Sequence, residues 1–108
     1  MPVELTGRNL TVTTAARRRA EKIVGRLERH LAGPTDTRVV VWREKHLFLA
    51  EAIAKHRRRR WTAQEERGDM VSAIAFALEK IDARARKDTE KRRDSRQQGA
   101  TGPTARED

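Results

Sequence analysis

The chain has 108 residues, with 25 Lys and Arg against 16 Asp and Glu, a formal net charge of +9. That length suits one domain, and 36% apolar against 38% charged residues means a small core under a densely charged surface. No cysteine is present, which excludes disulfide frameworks and thiol chemistry, and no apolar run nears the roughly 18 residues of a membrane span. A soluble, cytoplasmic domain with no membrane association is expected, and its natural partner is a polyanion.

Val3 and Leu5 alternate with Glu4 and Thr6, a short strand ended by Gly7. Thr13 is placed to cap a helix running to about Leu31, stopped by Gly33-Pro34, with Ala16, Ala20, Ile23, Leu27 and Leu31 at helical spacing. Arg38 to Lys45, with Val39, Val40, Val41 and Trp42, reads as a strand. Phe48 to Lys55 alternates less clearly and its alanines permit helix, but pairing with the preceding strand favours strand. Arg58 to Glu66 gives a fourth strand around Trp61. Asp69 then caps a helix to about Arg93, with Met70, Ile74, Ala77, Leu78, Ile81 and Ala85 on one face. The expected class is α+β, in the order β-α-β-β-β-α, with two helices packed on one face of a four-stranded sheet. Residues 1–93 form the domain. Residues 94–108 hold two Arg against two Asp and one Glu and have little to bury, so a disordered polar tail is expected there.

Each helix keeps its cations on one flank. On the first, Arg18, Arg19, Lys22, Arg26 and Arg29 lie apart from Glu21 and Glu28; on the second, Lys80, Arg84, Lys87 and Lys91 share a side. Such stripes suit a phosphate backbone, each neutralised phosphate adding roughly −0.7 to −0.9 to the salt slope. A solvated face with long stems covering the core edge is the plainer alternative. The run Arg57–Arg60 is either a phosphate grip or a charged guard on an exposed edge, with nothing in the sequence to choose between them.

Chemistry is harder to find. His30, His46 and His56 lack metal-ligand spacing, and Glu65 and Glu66 are adjacent strand residues that point to opposite faces. Ser72 and Ser95 have no placed base, and Gly7 and Gly68 build no phosphate loop. No enzyme, cofactor or metal is expected. Of four aromatic residues, Trp42, Trp61 and Phe48 fall in strands, where packing is the default, while Phe76 falls away from the apolar face of its helix.

Taken together, TGRNLTVTTAARRRAEKIVGRLERH, VVVWREKH and GDMVSAIAFALEKIDARARKDTEK resemble the ribosome hibernation promoting factor family over about residues 3 to 93. The resemblance implies the same β-α-β-β-β-α order. It also implies a partner, the small ribosomal subunit and its rRNA, bound in the channel of messenger and transfer RNA so that idle ribosomes are silenced in stationary phase or stress. Carried over by position, Gly7-Arg8 matches the TGR turn, Arg26 and Arg29 the basic places of RLER, and Lys80, Arg84, Lys87 and Lys91 those of the second helix. The chain reads as a short form without a C-terminal dimerisation domain and a monomer off the ribosome. Short members of the family either assist ribosome dimerisation with a separate ribosome modulation factor as a further partner or oppose it, and the short, mildly acidic tail does not choose between the two. KHRRRRW replaces the family's usual Gly-containing turn, and Val71 stands where an aromatic residue commonly follows DM. The rival reading is a general double-stranded-RNA-binding module.

Overall fold

A computed structural model describes residues 3–101, with side chains described through residue 90. Its elements are β1 (Val3–Gly7), α1 (Thr14–Leu31), β2 (Asp36–Glu44), β3 (Leu47–His56), β4 (Arg59–Arg67) and α2 (Met70–Thr101). The sheet order is β1-β2-β3-β4. β1 pairs parallel with β2 (Val3 opposite Thr37), whereas β2, β3 and β4 form an antiparallel meander. Both helices cover one face of the sheet, as expected: α2 crosses β3 and β4, and α1 lies beside it over β1.

Strand pairing explains the core. Leu5, Val39, Ala52 and Ala63 form one inward row; Val3, Thr37, Ala54 and Trp61 form another. The alanines that made β3 ambiguous all face the helices: Ala50, Ala52 and Ala54 are buried opposite the small residues Ala73, Ala77 and Ala85 of α2. Small side chains on both surfaces let helix and sheet approach closely, so a poor strand former is retained for fit. Larger residues fill the seam between the helices; fully buried Leu27, Ile74 and Leu78 are each stabilising by about 2 kcal/mol through area removed from water.

The helix ends follow local chemistry. Thr13 Oγ1 accepts from the Ala16 N–H at 3.1 Å, and Asp69 Oδ2 accepts from the Ser72 N–H at 2.9 Å, so both caps fall where the sequence places them. α1 ends at Leu31, as expected, but a glycine does not close its last turn. Ala32, not Gly33, takes the left-handed position (φ 56°), and the Ala32 and Gly33 N–H groups bond the Arg29 and Glu28 carbonyls. This is a Schellman ending with a Cβ at the position glycine prefers. Ala32→Gly is therefore expected to stabilise the fold by about 1 kcal/mol in urea unfolding, since relief of the Cβ clash outweighs the added chain entropy; no gain would mean that the ending is already unstrained.

α2 also departs from expectation, continuing to Thr101 rather than ending near Arg93. Asp94 to Ala100 contains no proline, and an established helix extends at little cost through polar residues. The expected tail is thus helical over its first half, and residues 102–108 lie outside the described residues. Both strand turns are two residues long, Lys45-His46 and Arg57-Arg58, and each begins with a non-glycine residue at φ 59°. The arginine run is accordingly divided, with two residues in the turn and two in β4.

Candidate nucleic-acid interface

The helix-covered side of the molecule carries most of the expected cations, though not as one uniform stripe. α1 and α2 run side by side in the same direction, and an ion-pair seam joins them. Arg26 donates to Asp82 Oδ2 through Nε at 3.1 Å and also pairs with Glu79; His30 Nδ1 donates to Asp82 Oδ1 at 2.8 Å. Asp82 is 3% exposed at its side chain and has Arg86 at 4.0 Å, one turn further along α2. Two carboxylates therefore meet two guanidinium groups, and the seam is close to neutral.

Arg18, Lys22 and Arg29 stand outside that seam. They are exposed on the outer side of α1 and have no ion-pair partner among the described residues. Arg19, also exposed, continues this surface toward α2, beside Phe76 and Glu79. These side chains hold nothing in the fold, so their charge is available to a ligand.

The α2 flank is arranged differently. Lys80 pairs with Glu65 of β4 at 2.5 Å, and Arg67 reaches the same carboxyl at 2.8 Å. Arg84 donates to the Thr62 carbonyl on the β4 edge. Of this flank, Lys87 is exposed without an ion-pair partner among the described residues, and Lys91 lies on α2 beyond the described side chains. Thus Arg26, Lys80 and Arg84 fasten elements of the fold to one another. Helical periodicity places these residues on a flank but says nothing of the acids and carbonyls across from them.

The Glu65 carboxyl is buried, 9% exposed, and its proton affinity lies below the usual range. The Lys80 hydrogen bond is the largest cause, working against burial, with the Arg67 charge adding to it. Because the folded value is depressed, the stabilisation from Glu65 is complete above the ordinary value of 4.5 and is lost as pH falls through the lower folded value. Glu65→Gln is expected to flatten the acid limb of stability against pH in urea titrations; an unchanged limb would remove this pair from the acid response.

Arg8 is not part of the helix-side surface. Trp42 alternates with inward-facing Val41, so its ring lies on the helix-free face, and the Arg8 guanidinium sits 4.8 Å above it. The Gly7 turn that delivers Arg8 is sterically required: a Cβ on Gly7 would lie 2.3 Å from the Leu10 carbonyl oxygen. Phe76, 48% exposed, is stacked by Arg67 at 4.3 Å beside Arg19 and Val71. This cation–π plate links residues from β4 and α2, and no sequence spacing signals it. Among the described residues no group of three or more His, Asp or Glu is placed to hold a metal ion, and no helix is long and apolar enough to cross a membrane.

Comparison with known proteins agrees with this architecture. A ribosome hibernation promoting factor from Azotobacter vinelandii is 35% identical over 99 residues, covering 92% of both chains. The Thermus thermophilus Protein Y N-terminal domain superposes with a TM-score of 0.70 at 28% identity, over 78% of this chain and 93% of that one. A ribosomal subunit interface protein from Coxiella burnetii, at 20% identity, shares the fold with a TM-score of 0.72 over 83% and 99% of the two chains. Residues 3–93 match the family described as Sigma 54 modulation protein / S30EA ribosomal protein, and the chain belongs to that family.

Proposed function

We propose that this protein is a ribosome hibernation factor that binds the small ribosomal subunit through its rRNA and silences idle ribosomes. Binding in the messenger and transfer RNA channel blocks translation by occupancy, without catalysis. Family membership supports this reading, as does the ribosome named for the relatives in Azotobacter and Coxiella. The structural observation that carries it is the outer row of α1, where Arg18, Lys22 and Arg29 are exposed with no ion-pair partner among the described residues, beside a neutralised seam. Guanidinium and ammonium groups in such a row neutralise successive phosphates and release counterions. Lys87 extends the surface, and Lys91 continues the same flank in sequence.

Nothing in the architecture favours the double-stranded-RNA module. β1, paired parallel to β2, adds a fourth strand ahead of the α-β-β-β-α order of that module. Sucrose-gradient sedimentation of stationary-phase lysate tests the proposal. The protein is expected in the ribosomal fractions and, after subunits are separated, with the small subunit. Protein confined to ribosome-free fractions overturns it.

A further inference from the structure

Away from the α1 row, the β3–β4 turn meets the end of α1 and leaves a cleft of about 460 Å³. Its floor is Leu31 and Ala32, and its walls carry His56, Thr89 and the guanidinium groups of Arg57, Arg58 and Arg59. Among the described residues no carboxylate lines it.

Arg59 is held firmly. Its Nη2 donates to Thr89 Oγ1 at 3.4 Å, and its guanidinium lies 5.1 Å from the centre of the Trp61 ring. Trp61 is fixed in turn, because its Nε1–H donates to Asp88 at 2.8 Å. Yet Arg59 Nη1 is buried with no hydrogen-bond partner among the described residues. A buried charged donor without an acceptor is costly, and native structures rarely leave one unmatched. Arg57 and Arg58 stand exposed at the rim, with no ion-pair partner among the described residues. His56 is buried with its ring oriented by Nδ1–H donation to the Pro34 carbonyl at 2.9 Å. At the end of α1 the Glu28 and Arg29 carbonyls accept from Gly33 and Ala32, and the three guanidinium charges outweigh the partial negative charge of the helix end, about half an elementary charge. One packed and two exposed guanidinium groups therefore line a concave site that has no carboxylate among the described residues.

We propose that this cleft binds an oligophosphate. Linked phosphates present several charged oxygens to three planar forks, which suits arginine better than a singly charged diester does. Arg59 supplies the fixed contact and Arg57 and Arg58 close over the ligand. The same chemistry is offered by a free oligophosphate, such as a nucleoside polyphosphate, and by the 5′-triphosphate end of an RNA. The site needs no ribosome, so it stands or falls independently of the function proposed above.

Titration of the full chain with inorganic pyrophosphate at constant ionic strength, followed by amide and guanidinium NMR signals, tests the site. Saturable shifts are expected at Ala32, Arg57 to Arg59 and Thr89, with little change at Arg18 and Lys22. R57Q/R58Q alters only exposed side chains, so the remaining spectrum should be preserved while Kd rises about tenfold or more. Arg59→Lys keeps the charge but loses the fork, and should also weaken binding. Shifts that sulfate reproduces equally, shifts spread along α1, or an unchanged Kd in R57Q/R58Q would each overturn the proposal. Once the site is established, a 5′-triphosphate RNA binding more tightly than its 5′-hydroxyl counterpart assigns the occupant to an RNA end; equal binding of the two assigns it to a free oligophosphate.

Discussion

Replacing Arg18, Lys22 and Arg29 together by glutamate is expected to weaken ribosome binding by about two orders of magnitude and to reduce the salt slope by about 2 to 3. The fold should be unaffected. All three side chains are exposed and lack ion-pair partners among the described residues, and substitutions of that kind usually change stability by less than about 0.5 kcal/mol. Cosedimentation across a salt series, with circular dichroism as the folding control, reads both quantities. Unchanged binding near physiological salt would make the α1 row a solvated surface. The α2 flank is a poorer place for the same experiment. A glutamate at position 80 would face buried Glu65, and one at 84 would lose the bond to the Thr62 carbonyl, so weaker binding there would be confounded with a weaker fold.

Asp82→Ala is expected to be the most destabilising change to a polar side chain of the helix seam, at about 3 kcal/mol, with a fall in Tm of roughly 10 to 20 °C. Asp82 is buried and accepts from both Arg26 and His30, so its removal strands two donors at the helix seam. Both donors are partly exposed and Arg26 keeps Glu79, which holds the cost below that of a fully buried triad. Asp82→Asn retains one acceptor and should fall between the two. Urea unfolding measures the series; a loss under about 1 kcal/mol would show that water satisfies the donors and that apolar packing alone joins the helices.

The sequence was most legible where a residue's role depends on its near neighbours. The caps at Thr13 and Asp69 depend on a few adjacent positions, and strand alternation through Val39 and Val41 depends on period, so both could be read directly. Ala32 shows the limit of this, because two adjacent residues compete for one left-handed position and the sequence signal points to the glycine. The surface was less legible. Lys80 was recognisable as a cation on a helix flank, but its pairing with Glu65 depends on how α2 lies over β4. Arg8 belongs with the other cations by motif and apart from them by geometry, since the odd-even parity of β2 turns Trp42 to the helix-free face. The arginine run reads as one feature in sequence and divides at a turn in three dimensions.

The mixed pairing of the sheet has a consequence for the order of folding. β2, β3 and β4 are joined by two-residue turns, so their contacts are local and their closure entropy is small. β1 can pair only after α1 has been traversed, because Val3 meets Thr37 from the far side of an 18-residue helix. As the most non-local pairing in the sheet, it sets the contact order that slows folding. During synthesis the strand made first must therefore wait for its neighbour, and the N-terminal edge closes onto a meander that can form without it.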